Sequence, residues 1–150
     1  MEQSELFARI RAKFPQVAEE EQTKAVVVPK ALLLEVTGYL KHGELVFDNL
    51  HCVTAVDQKE RIGLIYIFYS FMVRQRLTLK IYLPADGPEV ESLTGFYRSA
   101  DWLEREVYDL FGVKFLNHPD LRRILNPDNW EGYPLRKDYA HPNLIKKPQY

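Results

Sequence analysis

The stretch Arg74-Gln75-Arg76-Leu77-Thr78-Leu79-Lys80-Ile81-Tyr82-Leu83 alternates in character along most of its length. Leu77, Leu79, Ile81 and Leu83 fall on one side, and Arg76, Thr78, Lys80 and Tyr82 on the other. A period of two marks a half-buried β-strand, so residues 74–83 are predicted to be a strand with one core face and one wet or partner-facing side. Upstream, residues 62–70 are apolar on both faces, as a central strand would be. Residues 45–56 are rich in β-formers and predict a further strand, with a break near Asp48-Asn49. Residues 24–28 predict a short fourth. Downstream, Pro84-Ala85-Asp86-Gly87-Pro88 is a turn cluster that ends the sheet.

Helical periodicity flanks these strands. Leu6, Phe7, Ile10 and Phe14 follow Ser4, a candidate N-cap, and Pro15 closes the run. Pro29 suits the first turn of a second helix, whose face carries Leu32, Leu33, Val36, Tyr39 and Leu40 before Gly43. A third helix is predicted over residues 99–111. Ser99 is its expected cap, Asp101 complements its dipole, and Gly112 stands just past its end. Its apolar side reads as Trp102, Leu103, Glu106, Val107, Leu110 and Phe111. The fold class is therefore α+β: a mostly antiparallel or mixed sheet of about four strands with helices packed on it.

Beyond Gly112 the chain meets Pro119, Pro127, Pro134, Pro142 and Pro148, a spacing that rules out a long helix or a central strand. Residues 1–112 are thus expected to form the α+β domain, and residues 113–150 an extended, proline-punctuated C-terminal arm of the same structural unit. Charge shifts along with proline content. Residues 1–116 hold 14 basic and 17 acidic side chains, whereas residues 117–150 hold 6 and 4. An extended arm of this length lies on something rather than standing free.

The 150 residues fit one ordinary domain, and 46% hydrophobic with 27% charged is globular composition. A net charge of −1 argues against a broad nucleic-acid footprint. The single cysteine, Cys52, cannot form an internal disulfide or supply an iron–sulfur cluster, and it reads as a small buried hydrophobe. No apolar run approaches the roughly 18 residues of a membrane span. The N-terminus lacks the regions of a signal peptide, so the expectation is a soluble, intracellular chain.

Several groupings invite a chemical reading. Glu104 and Glu106 offer two carboxylates, yet positions i and i+2 of a helix point nearly opposite ways, which disfavours acid–base work. The simpler reading pairs Arg105 with Asp109 and gives one glutamate an arginine elsewhere. Glu106, on the more apolar side, would want a cation, with Arg122, Arg123 and Arg136 as candidates. Tyr108 could orient Glu104. His118, Asp120 and His141 lack the spacing of a helical ligand pair, and His118-Pro119 reads as a chain reversal. There is no glycine-rich phosphate loop, and no serine or cysteine in a nucleophile's setting. Arg122-Arg123 and Arg136-Lys137, diluted by Asp120, Asp128, Glu131 and Asp138 around Trp130, look more like a protein–protein interface than a nucleic-acid track.

The run Trp102-Leu103-Glu104-Arg105-Glu106-Val107-Tyr108-Asp109-Leu110-Phe111-Gly112-Val113 resembles the signature of the thirty-kilodalton, or C, subunit of respiratory complex I. It is followed in the family's order by Asn117-His118-Pro119-Asp120-Leu121-Arg122-Arg123-Ile124-Leu125, by Trp130-Glu131-Gly132 and by Pro134-Leu135-Arg136-Lys137-Asp138-Tyr139. Weaker agreement extends to Val28-Pro29, residues 47–57 and Ser92-Leu93-Thr94. The resemblance implies a non-catalytic subunit of the peripheral arm of a proton-translocating NADH:quinone oxidoreductase. Such a subunit would scaffold the large quinone-site subunit and neighbouring iron–sulfur subunits on the cytoplasmic face of an energy-transducing membrane. It implies no catalytic residue, metal or cofactor on this chain, with iron–sulfur clusters, flavin and quinone carried by partners. Equivalent subunits occur in membrane-bound hydrogenases and in ferredoxin- or F420-dependent complexes. The implied fold-defining and interface residues are Trp102, Glu104, Arg105, Glu106, Asp109, Phe111, Gly112, His118, Pro119, Asp120, Arg122, Arg123, Trp130, Gly132, Pro134, Leu135, Arg136, Lys137 and Asp138.

Overall fold

A computed structural model describes residues 3–145. Helix α1 spans Gln3–Lys13 and is followed by the two-residue strands β1 (Ala18–Glu19) and β2 (Val26–Val27). A 3₁₀ turn at Lys30–Leu32, set by Pro29, leads into α2 (Leu33–His42). Three long strands follow: β3 (Asn49–Asp57), β4 (Arg61–Ser70) and β5 (Gln75–Pro84). The chain closes with β6 (Glu89–Glu91), α3 (Ala100–Phe111), β7 (Lys114–Leu116) and an irregular arm.

The five-stranded sheet runs β1-β2-β5-β4-β3. It is mixed, because β2 lies parallel to β5 while the other neighbours are antiparallel. The α+β class and the alternation of β5 are as the sequence predicts: Leu77, Leu79, Ile81 and Leu83 are buried, and the intervening residues are not. Cross-strand pairing brings Leu64 to Ile81, Tyr66 to Leu79 and Phe68 to Leu77, and on the other side Tyr66 to Val53 and Leu64 to Ala55. Burying each such side chain contributes about 1.5–3 kcal/mol. Leu6 and Ile10 of α1, Leu33, Val36 and Leu40 of α2, and Val107 and Phe111 of α3 join this core, so the helices cover one face of the sheet.

Five expectations need correction. The sheet has five strands, because the two-residue β1 is too short to show a period. The 84–88 turn cluster ends that sheet but not strand structure, since β6 pairs in parallel with β7 as a second, two-stranded sheet. Residues 45–48 precede β3, and Ser70 Oγ bonds the Leu45 carbonyl instead of a ladder partner. Ser4 lies inside α1, and the Ser99 hydroxyl donates to the Leu50 carbonyl at 2.9 Å, tying α3 to β3 instead of capping α3. Gly112 behaves as predicted: it ends α3 at φ 75° with its N–H on the Tyr108 carbonyl. A side chain there would also strike the Tyr133 ring at 2.6 Å, so the position excludes anything larger on two grounds.

Candidate functional site

Helix α3 lies between the sheet and the arm, and this explains its unusual burial. Ala100, Val107 and Phe111 face apolar neighbours, yet Glu104, Arg105 and Asp109 are buried too. Charged groups withdrawn from water need donors or acceptors in fixed positions; the arm supplies them for Arg105 and Asp109, and residues 92–93 for Glu104.

Asp109 is the centre of the junction. Its Oδ2 accepts the backbone N–H groups of Ile124, Leu125 and Asn126 at 3.1, 2.7 and 2.9 Å. Its Oδ1 accepts Arg123 Nη1 at 2.8 Å and Asn126 Nδ2 at 2.9 Å. Desolvation works against the charged form, but the Asn126, Arg123 and Leu125 donors outweigh it and hold the carboxyl well below its ordinary value. The Arg123 fork is spent on the same bend, donating to the carbonyls of Asp109, Trp130 and Gly132, each at 2.9 Å, with its plane over Tyr133. Arg105 therefore does not pair with Asp109. It reaches the Arg122 carbonyl at 3.2 Å, sits 3.9 Å from both Asp101 and Asp120, and stacks on Trp102.

Glu104, fully buried, is held differently. It accepts Ser92 Oγ at 2.6 Å and the Leu93 N–H at 2.7 Å. Burial pushes its carboxyl up to about 7 against these two bonds, with the Asp101 charge adding to the rise. Tyr108 does not orient it. The enclosed His118 imidazole lies 4.0 Å away; its Nδ1 accepts the Asp120 N–H, leaving the proton on Nε2 to donate to the Asp101 carbonyl at 3.0 Å. The His118-Pro119 reversal is thus pinned against the first turn of α3.

A third anchor lies outside the predicted interface residues. Asp57, at the end of β3, accepts the N–H groups of Lys59 and Lys137 at 2.7 and 2.8 Å and lies 3.8 Å from Arg136 Nε. The Lys137 amide is the main cause of its lowered pKa, outweighing burial. Arg136 also donates to the Ala85 carbonyl at 2.8 Å. A signal is present in the sequence: Asp57 continues the inward register of Val53 and Ala55, where an acid must be paired.

The remaining predicted residues are more scattered. Glu106 faces outward, opposite Glu104, as the i, i+2 geometry requires; it is exposed rather than on the buried side, and none of Arg122, Arg123 and Arg136 pairs with it. Trp102 is 60% exposed instead of buried. Arg122 and Asp120 pair with each other at the surface. Leu135 is exposed, although its N–H bonds the Leu110 carbonyl and fixes the Pro134 turn. Asp138 is exposed 3.5 Å from Arg136. Trp130, Tyr139 and His141 form a stack. Gly132 takes a positive φ with Tyr139 against it. Cys52 is only half-buried, because its strand lies at the sheet edge.

Glu106, Asp109 and His118, which a catalytic reading would join, are not brought together: one is in solvent, one is enclosed by the arm, and one is packed on Asp101. Among the described residues no group of three or more histidine, cysteine or acidic side chains could hold a metal ion. No described helix is long and apolar enough to cross a membrane. A groove of about 690 Å³ runs between the 85–88 turn and the arm, floored by Phe111, Gly112 and Tyr133.

An α+β domain with an arm fastened over one of its helices by buried charges defines the architecture of this chain, and known proteins resemble it in sequence and fold. The chain belongs to the family described as the respiratory-chain NADH dehydrogenase 30 Kd subunit, whose family model matches residues 26–143. It is 41% identical over 139 residues to the C subunit of NADH-quinone oxidoreductase from Geobacter metallireducens, covering 87% of this chain and 85% of that protein. It is 38% identical over 147 residues to the C subunit of F(420)H(2) dehydrogenase from Methanosarcina mazei, covering 93% and 92%. Its structure is similar to the trypsin-resistant fragment of Nqo5, with a TM-score of 0.69 and 29% identity, covering 81% of this chain and 100% of that one. It is also similar to a chain of the membrane-bound sulfane sulfur reductase, an archaeal respiratory membrane complex, with a TM-score of 0.77 and 25% identity, covering 91% and 85%. This chain is accordingly a complex I-type subunit.

Proposed function

We propose that the chain is a non-catalytic peripheral-arm subunit of a proton-translocating NADH:quinone oxidoreductase. It scaffolds the large quinone-site subunit and neighbouring iron–sulfur subunits on the cytoplasmic face of the membrane, and the flavin, clusters and quinone belong to those partners. The observation that carries this reading is the division of labour in the arm. Its buried charges (Arg123 and Arg136, with Asp57 and Asp109) are consumed within the chain, while Leu125, Leu135, Leu144 and Ile145 are left exposed along it, as is Trp102 on the helix it covers. Apolar side chains held out on a fixed backbone are what a docking partner buries at low entropic cost.

The test is co-purification from native membranes with the associated subunits identified. Leu125→Asp with Leu135→Asp is expected to leave the isolated chain's melting temperature nearly unchanged and to lower its recovery with the large subunit at least about tenfold. Full recovery and full quinone-reductase activity would refute the docking role. A second host has specific support in the 38% identity to an F(420)H(2) dehydrogenase subunit over almost the full length of both chains. Recovery with F420-oxidising rather than NADH-oxidising subunits would select it.

A further inference from the structure

The helices cover one face of the main sheet; the other face divides into two unlike halves. Near β1 and β5 it is closed on itself. Glu20 accepts from Lys80, Thr23 and Tyr82, which hold its carboxyl down to about 2, and Arg61 stacks on Tyr82 at 3.9 Å while bonding Gln58. Near β3 and β4 nothing among the described residues closes it. Ile65, Ile67 and Tyr69 alternate with the core residues of β4 and stay half-exposed, Val56 lies open beside them, and the hairpin tip presents Phe71 and Met72, each 63% exposed. A strand apolar on both sides is ordinarily covered on both. A contiguous apolar patch of this kind marks a binding surface.

This half has a shape and a charge. Tyr69 and Phe71 meet edge-on at 4.9 Å and form one wall of a pocket of about 370 Å³, whose other lining residues are His51, Ile67 and Arg76. Arg76 stands directly across from Tyr69 in the β4–β5 ladder. Among the described residues neither Arg74 nor Arg76 has an ion pair or a side-chain hydrogen bond, in contrast with Arg105, Arg123 and Arg136. The acid near the tip, Asp48, is bound to the Phe71 N–H. The pocket thus has an apolar floor and an unused guanidinium at its rim.

We infer that this outer sheet face is a second docking surface, whose occupant is an acidic segment of a neighbouring subunit that inserts an aliphatic side chain between Ile67, Tyr69 and Phe71 and places a carboxylate on Arg76. The inference rests on the proposed subunit role and adds a second face to the one along the arm. A guanidinium fork binds a carboxylate in fixed bidentate geometry, which specifies the register of the inserted side chain. On a partner helix the two residues would stand three or four positions apart. Two arginines and one histidine fall short of the four to eight lysines or arginines that hold a protein on an anionic lipid surface. A concave pocket also suits a side chain better than a headgroup plane.

Hydroxyl-radical footprinting, read by mass spectrometry at Tyr69, Phe71 and Met72, compares the purified complex with the isolated full-length chain. Oxidation of these residues is expected to fall about tenfold in the complex. Arg76→Glu should return it toward the free-chain level and Arg76→Lys only in part, with the isolated variants melting as the parent does. Equal oxidation in the two states would overturn the inference even where Trp102, Leu125 and Leu135 are protected, which would leave the arm reading intact. Failure of the chain to co-purify with any subunit would overturn both. Protection of Phe71 and Met72 in the isolated chain, on vesicles containing phosphatidylserine or through self-association as its concentration rises, would assign the face to lipid or to a second copy and overturn it as well.

Discussion

Asp109 and Glu104, five residues apart on one helix, are both fully buried carboxylates, and their partners drive their protons in opposite directions. Asp109 has its charge matched by an arginine and several N–H groups, so ionisation is favoured in the folded state. That stabilisation is fully present above the ordinary value of 3.8 and is lost as pH falls below it. Glu104 has two donors and no cation bound to it, so folding favours its protonated form. Its contribution is fully present below 4.5 and is lost as pH rises through about 7. Glu104→Gln is therefore expected to flatten the fall in stability between those two pH values and to stabilise the chain at pH 8 by on the order of 3 kcal/mol, read from urea denaturation at several pH values. Asp109→Asn leaves Arg123 buried without its counter-charge and should cost about 3–5 kcal/mol at neutral pH, a large part of an ordinary domain's stability. If the asparagine variant denatures at the parent's urea concentration, the junction is not held by this charge.

Among the elements, α3 and the arm are only partly legible in the sequence. The helix ends are plain from Gly112 and the apolar periodicity, and the opposition of Glu104 and Glu106 follows from geometry alone. Which of the two is buried does not, because a count of apolar side chains finds the face toward the sheet and cannot see a second face buried by hydrogen bonding. Glu104, Arg105 and Asp109 lie on that second face, and their acceptors and donors are largely backbone groups of residues 93 and 122–126, which no side-chain pattern encodes. The same blindness hides Asp57, which works through the amides of Lys59 and Lys137. Two outcomes belong at this scale. Gly112→Ala would force an alanine into a left-handed conformation and against Tyr133, and a loss of roughly 2 kcal/mol or more is expected in thermal melts. Asp57→Ala should free the 136–137 turn with little change in global melting, and tryptic cleavage after Arg136 and Lys137 should then outpace that of the parent; equal rates would show that the turn is held otherwise.

For the whole molecule, the alternation of β5 sets which way each surface points. The face of β5 that carries Leu77, Leu79, Ile81 and Leu83 holds the helices, and the face that carries Arg76 points away from them. The arm and the uncovered half of the sheet thus lie on different faces of the molecule. The fold class and the wet side of β5 are evident in the sequence because a period of two is a local property. The closed half of that wet side is not, since it depends on Glu20, which lies sixty residues from Lys80 in the chain. Charge changes on the two faces should be independent: Arg76→Glu combined with Asp57→Ala is expected to melt close to the parent, as each single variant does, and a clear drop in the double variant alone would mean the faces are coupled.

The order of these carboxylates and the arm along the chain has a consequence for synthesis. Asp57 and Asp109 emerge from the ribosome well before the amides of residues 124–126 and 137 that enclose them. Until those residues arrive, the carboxylates remain hydrated and α3 has one side open to water. The sheet can form early, but the second face of α3 closes only after residues 124–137 have been made. A copy that stops before residue 124 would leave both carboxylates without the arm amides that enclose them in the folded chain.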